Sequence, residues 1–290
     1  MKRINRYGVR SLEKDFPNDD VCLEFLFDAQ HSKACSCGGT YKRVKDRKQY
    51  QCSKCRFQIA PLAGTIFHKS DTPLTLWFKA ILAFSNAKSG ISAKYMEREL
   101  EVTYKTAWRM LMLIRKALKQ SADKLSGDVE MDTAYLGGRK NGGTYNKYQK
   151  QAIAAKSVVM GAVERDGNIR VQIVPNATGK THASFLAQAV AKEGTRLMTD
   201  SAKQMTNATL GYDRYMVNHN KGEYARGDVY TNTIDGFWAH VKRSMKGTHK
   251  VVSKKYLQNY LDGFVFHYDN RHNDKTRFSA LLGSVLLGAR

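Results

Sequence analysis

Val229-Tyr-Thr-Asn-Thr-Ile-Asp-Gly-Phe-Trp-Ala-His-Val-Lys-Arg243 reads as the start of a long helix near the end of the chain. Phe237, Val241 and Met245 recur at i, i+4 and i+8 and form its apolar stripe, and Thr231 or Thr233 is placed to cap it. Asp235 and Lys242 are seven residues apart. On a helix they share a face two turns apart, roughly 10 Å along the axis. Taken alone, such a carboxylate and ammonium make a solvated charge pair. Two carboxylates upstream give the pair another meaning.

Val129-Glu-Met-Asp-Thr-Ala-Tyr135 alternates like a strand, with Met131 on the opposite face from Asp132. Gly137-Gly138 then opens a loop rich in Gly, Asn and Lys to residue 150. Ser157 to Val163 and Asn168 to Val174, separated by Glu-Arg-Asp-Gly, predict an antiparallel hairpin. Thr181 to Ala191 predicts a helix, and Thr195 to Asp200 a short strand ending in a carboxylate. This is an α/β order that sets acidic residues at strand ends and at a helix start, where open sheets place their sites. If the fold gathers Asp132, Asp200 and Asp235, their charges repel unless cations lie between them. Hard divalent ions suit oxygen donors, and Mg²⁺ or Mn²⁺ is the expected cofactor. Two ions roughly 4 Å apart support in-line attack on a phosphodiester, with Lys242 holding the strand. Singly, each aspartate reads equally well as a cap or a surface charge.

The whole chain fits that chemistry. Its 290 residues, 42% of them hydrophobic, are enough for one large domain or a few small ones. Lys and Arg number 48 against 26 Asp and Glu, giving +22, and the excess is spread from end to end. With a pI near 9.8, such a field favours a polyanion, of which nucleic acid is the commonest. No 18-residue apolar run and no signal peptide appears, so a soluble, intracellular protein with no membrane partner is expected.

Four of the five cysteines fall between residues 35 and 55, which predicts a metal site rather than a disulfide framework. Cys35-Ser-Cys37 and Cys52-Ser-Lys-Cys55 are joined by a hairpin-length basic segment, as a tetrahedral zinc ribbon requires. The second pair has the usual spacing. The first is one residue short, and His31 is an alternative ligand there. Before the ribbon, Asn18-Asp-Asp caps a short helix in which Val21, Cys22, Phe25 and Leu26 share a face. After it, Leu74, Trp77, Phe78, Ile81 and Leu82 mark a helix to about residue 86. Ser92 to Leu100 and Tyr104 to Leu118 then form the layout of a helix-turn-helix. Its second helix buries Ala107, Met110, Leu111 and Ile114 and offers Tyr104, Lys105, Trp108 and Arg109 to a major groove of double-stranded DNA.

Several motifs together resemble one family. They are Glu130-Met-Asp132, Tyr135-Leu-Gly-Gly138, Met198-Thr-Asp200, His219, Gly222-Glu-Tyr224, Thr231 to Trp238, Lys242-Arg, Gly247-Thr-His249, Val252 to Leu257 and Tyr260-Leu. They are similar to the DDE transposases of bacterial insertion sequences, specifically the zinc-ribbon group with an ISXO-type catalytic domain. Cys55-Arg-Phe57, Gly64-Thr-Ile-Phe67 and the helix-turn-helix are similar to that group's N-terminal region. The resemblance implies a ribonuclease-H-like α/β catalytic domain over 125–272. Ahead of it come an N-terminal helix over 1–30, a zinc ribbon over 31–66 and a helix-turn-helix over 67–120; a tail over 273–290 follows. It implies binding of terminal inverted repeats, metal-dependent cleavage and strand transfer into target DNA, a homodimer or larger assembly on DNA, and a cytoplasmic, nucleoid-associated location. Asp132 and Asp200 match the first two metal ligands, Asp235 stands where the third acid sits, and Lys242 follows it. Three positions depart from the family pattern. Asp235 replaces the usual Glu, with Asn232 as a neighbouring substitute ligand; Thr133 stands where an acid is usual; and the first knuckle is Cys-x-Cys. The alternative is a transposase-derived DNA-binding protein whose catalytic site has decayed.

Overall fold

The computed structural model describes residues 7–137, 156–218, 222–223 and 225–287. The expected loop over 138–150 and the motif residues Gly138, His219 and Tyr224 lie outside them. The chain forms two compact units, one of residues 1–119 with 272–290 and the other of 120–271. Among the described residues no helix is long and apolar enough to cross a membrane.

In the first unit, helices α1 (Val9–Asp15) and α2 (Asp19–Asp28) precede three short antiparallel strands, β1 (Tyr41–Arg43), β2 (Tyr50–Cys52) and β3 (Gln58–Ile59). Three helices follow, α3 (Leu74–Asn86), α4 (Ala93–Glu99) and α5 (Tyr104–Ala117). Asn18 caps α2 by accepting from the Val21 amide, as the sequence predicts, whereas Phe25 is partly exposed and Phe27 is buried in its place. The start of α3 has Pro73 at its cap position, which offers no side-chain acceptor. Asp19 supplies one from α2, accepting from the Leu74 and Thr75 amides at 3.0 and 2.9 Å.

The second unit is a three-layer arrangement around one mixed sheet of order β6-β5-β4-β7-β8. Strand β4 (Leu125–Leu136), β5 (Ser157–Glu164) and β6 (Ile169–Val174) form an antiparallel meander. Helix α6 (Gly179–Ala189) leads directly into β7 (Val190–Asp200), which runs parallel to β4. After the short α7 (Met205–Ala208), β8 (Asp213–Val217) adds parallel to β7. A small hairpin of β9 (Ala225–Arg226) and β10 (Val229–Tyr230) then feeds α8 (Asn232–Ser244). A π-helical turn over Met245–His249 follows, and then α9 (Lys254–Asp269). Strand β7 begins five residues before the predicted Thr195, because its first half carries Lys192, Glu193 and Gly194 in exposed positions with no apolar alternation.

Register decides which face each residue serves. Asp132 pairs with Gly161 and Ala134 with Val159, so Glu130, Asp132, Ala134 and Leu136 share the face on which α8 and α9 pack. Val129, Met131, Met160 and Ala162 fill the other face against Phe185 and Leu186 of α6.

Edge strand β6 is closed to further pairing by side chains. The amides of Ile169, Val171 and Ile173 donate to Asp269, Gln120 and Gln258, each at 2.9 Å. Burial pushes the Asp269 carboxyl up to about 6, against the Ile169 amide and the charges of Arg170 and Arg271. With an unfolded value near ~3.9, the native state holds more protons between the two values, so stability falls as pH rises through that window. At about 1.4 kcal/mol per pH unit this amounts to roughly 3 kcal/mol. In Asp269→Asn the side-chain carbonyl still accepts from Ile169. The wild-type unfolding free energy, taken relative to this variant, is therefore expected to drop by that amount between pH 4 and pH 7 in urea titrations.

Candidate active site and metal centre

Helix α8 is held onto the sheet by Ile234, Phe237, Trp238 and Val241, all buried. The predicted stripe holds in Phe237 and Val241, with Met245 partly buried against the same core, and it widens to take in Ile234 and Trp238. A Cβ on Gly161 would lie 2.6 Å from Trp238 Cζ2 and 3.1 Å from Ile234 Cδ1. The absence of a side chain opposite Asp132 therefore lets α8 settle close enough to bring Asp235 to that strand. Gly161→Ala forces a rigid indole to move. It is expected to destabilise the protein by about 1–3 kcal/mol, the range for overpacking a core, and thermal unfolding measures it.

Asp132, within β4, and Asp200, the last residue of the neighbouring parallel β7, each lie one residue beyond the Met131–Thr199 register pair. Burial raises the Asp132 carboxyl above the ordinary carboxylate range, and the charges of Asp235 and Asp200 raise it further, while the Thr133 amide and Lys242 pull it down. All four predicted groups thus share one electrostatic environment. Among the described residues, the one group of three or more His, Cys, Asp or Glu side chains already placed to hold a metal ion is that of the four cysteines, whose ligand atoms lie within 4.8 Å of one another. Asp200 is fixed by its surroundings: Oδ1 accepts from the Ala202 amide at 3.1 Å, and its carbonyl accepts from Thr199 Oγ1 at 2.9 Å and Arg214 at 3.0 Å. Asp235 is exposed in the first turn of α8 and accepts from Thr231 Oγ1 at 3.3 Å. Asn232, the first residue of α8, is exposed as well, as is Lys242 in the last turn.

The predicted threonine cap of α8 is replaced. Thr231 occupies the cap position but makes no side-chain cap bond, and the Thr233 and Ile234 amides donate instead to Glu130 of β4. Thr133 is turned to the other face of the sheet, where its hydroxyl meets His182 Nε2 at 3.0 Å while Nδ1 meets the Thr178 carbonyl at 2.8 Å. Glu130, Gly161 and Arg214 are the site-building residues that sequence reasoning missed. The one available signal was an acid two positions before Asp132, hence on the same face of a strand.

In the first unit the four sulphurs of Cys35, Cys37, Cys52 and Cys55 gather without His31, whose ring lies 5.5 Å from that of Phe27. Cys37 and Cys52 approach to 3.4 Å and Cys35 and Cys55 to 3.7 Å. The short Cys-x-Cys turn closes through Gly38 at φ 77°, with its amide donating to the Cys35 carbonyl. The Tyr41 hydroxyl beside Cys35, followed by the Cys37 amide, lowers the Cys35 thiol to about 6. A cluster of four thiols, of which Cys35 and Cys52 are shifted toward the ionised form, can hold a metal such as zinc.

Helices α4 and α5 are joined by a turn in which Glu101 takes φ 52°. Thr103 caps α5 by accepting from the Thr106 amide at 3.3 Å. Ala107, Met110, Leu111 and Ile114 are buried as predicted. Tyr104, Lys105 and Arg109 are exposed and Trp108 is half-buried.

Residues 124–269 match the model of a family described as the ISXO2-like transposase domain. An uncharacterised protein of the transposable element ISH50 from Halobacterium salinarum is 27% identical over 232 residues, covering 75% of this chain and 77% of that protein. Among solved structures, a pre-cleavage Mos1 transpososome covers 72% of this chain and 78% of its own at 10% identity and a TM-score of 0.27, a likeness too distant to inform the fold or the site. The family match runs from the start of β4 to the end of α9, half of the chain's length, and with it this chain belongs to the ISXO2-like transposases of insertion sequences.

Proposed function

We propose that the chain catalyses DNA cleavage and strand transfer at the ends of its insertion sequence, through a ribonuclease-H-like domain that binds two divalent ions. The observation that carries this reading is the convergence of Asp132, Asp200, Asp235 and Lys242 in one electrostatic environment, inside a transposase domain. The donor set fits Mg²⁺ or Mn²⁺: three hard carboxylates are offered, and the Asp132 carboxyl, raised first by burial and then by the charges of Asp235 and Asp200, is one whose ionised form a cation would stabilise. When bound, such ions activate a water or a 3′-hydroxyl and stabilise the leaving oxygen. Asp132 and Asp200 hold them from the sheet and Asp235 from the helix, with Asn232 beside it. Lys242 neutralises a phosphate of the strand being cut.

Residues 31–66 form a structural zinc ribbon on Cys35, Cys37, Cys52 and Cys55. Residues 67–120 read double-stranded DNA, with Tyr104, Lys105, Trp108 and Arg109 facing the groove. The +22 net charge supports that assignment. Two ends must be joined, so the active form on DNA is a homodimer or larger. The test is cleavage and joining of DNA bearing the element's ends with Mg²⁺ or Mn²⁺, comparing wild type with Asp200→Ala and Asp235→Ala. Binding without cleavage by wild type under both metals sinks the catalytic reading.

A further inference from the structure

The helix that carries Asp235 is held by a carboxylate with no place in the chemistry above. Glu130 is 0% exposed and lies two residues before Asp132 on the same face of β4. Its Oε2 accepts from the amides of Thr233 at 2.8 Å and Ile234 at 3.1 Å. Its Oε1 accepts from the Thr233 hydroxyl at 2.9 Å and from Arg165 Nε at 2.8 Å. Arg165, just after β5, also donates to the carbonyls of Asp228 at 2.8 Å and Tyr230 at 3.0 Å, and its guanidinium lies 3.7 Å from the centre of the Tyr230 ring.

A helix start is ordinarily satisfied by its own N-cap side chain. Here the acceptor comes from the neighbouring strand, so the first turn of α8 is tied to β4 within two residues of Asp132. The amides it holds belong to the two residues before Asp235. Charge-assisted bonds to a buried carboxylate are short and strong, and losing the acceptor leaves the two amides and the Arg165 Nε–H without it. Trp238 over Gly161 anchors the helix one turn further on, which leaves Glu130 to set the end that bears the acid.

We propose that Glu130, braced by Arg165, is a positioning residue that fixes Asp235 relative to Asp132, so that the divalent-ion site is formed before the ion arrives. This rests on the metal-binding reading of the three aspartates. Glu130→Gln keeps the shape and one carbonyl oxygen for the helix amides but turns an NH₂ toward Arg165. Arg165→Lys leaves the carboxylate in place and removes the fork that braces it. On the full chain, amide hydrogen exchange at Thr233 and Ile234 reads the clamp, and paramagnetic resonance of free Mn²⁺ reads the ion site.

Faster exchange at both amides is expected in Glu130→Gln, with Mn²⁺ affinity lowered roughly 10- to 100-fold, the range for partners that orient metal ligands. Arg165→Lys is expected to move both readouts the same way by less. Mn²⁺ affinity within about twofold of wild type in both variants overturns the proposal, as does unchanged exchange at Thr233 and Ile234. A wild type that binds no Mn²⁺ overturns the metal reading and this proposal with it. A wild type and variants that bind equally well overturn this proposal alone.

Discussion

Asp132→Ala and Asp200→Ala are each expected to lower strand cleavage by at least roughly three orders of magnitude. A bound divalent ion contributes several kcal/mol of charge stabilisation, and every ~1.4 kcal/mol is a factor of ten. Binding of the element's ends, measured by gel shift, is expected to persist, because the residues assigned to DNA reading belong to the other compact unit. Asp235→Ala tests the unusual third acid. If it silences cleavage, the shorter side chain acts as the ligand where the family usually has Glu. If it cleaves like wild type, Asn232 in the same turn of α8 becomes the ligand instead. Asp132→Asn separates function from stability. Its carboxyl is raised by burial and by two neighbouring acids, so without metal the ionised form opposes folding at neutral pH. The neutral isostere relieves that repulsion, so a higher melting temperature in chelator is expected together with lost cleavage.

The acids were legible because each sits where local pattern is strong. Asp132 lies in an alternating strand, Asp200 ends a short strand segment, and Asp235 heads an amphipathic helix. What brings them together was not legible, since it lives in pairings between residues far apart in sequence. Gly161 reads as a weak strand residue until its register opposite Asp132 and the indole of Trp238 above it are known. Glu130 enters the sequence only as part of the Glu130-Met-Asp132 motif, with no role of its own, yet it is fully buried and its carboxylate accepts from a helix that starts 102 residues later, at Asn232. The helical half of the first unit follows its sequence pattern closely, because apolar spacing and threonine or serine caps are local signals. The tail over 273–290 had no such reading. In the structure its helix, α10 (Arg277–Leu287), buries Phe278, Leu281 and Val285, and Phe278 stacks on Tyr7 at 4.9 Å within the first unit.

Zinc removal is expected to have the largest effect on stability. The three strands of the ribbon are two or three residues long, too short to persist by pairing alone. Zinc on the four sulphurs, as proposed, would be the main tie of that segment, since structural zinc supplies about 10–16 kcal/mol of binding energy in small domains. Cys52 is nearly inaccessible, and a Cβ on Gly39 would come within 2.5 Å of its sulphur, so neither position tolerates a bulkier neighbour. Tyr50, next but one to Cys52, stacks on Phe27 of α2 at 3.9 Å, which carries any loosening of the ribbon into the helical core of that unit. Cys52→Ser is expected to reduce bound zinc, measured by atomic absorption, from one per chain to none, and to abolish end binding. Because zinc competes with protons for the four thiolates, acidification is expected to release it from the wild type. Gly39→Ala is expected to reach the same state by displacing the Cys52 sulphur. A Cys52→Ser chain that still binds the ends without zinc would show that recognition of the ends does not depend on the cysteine site.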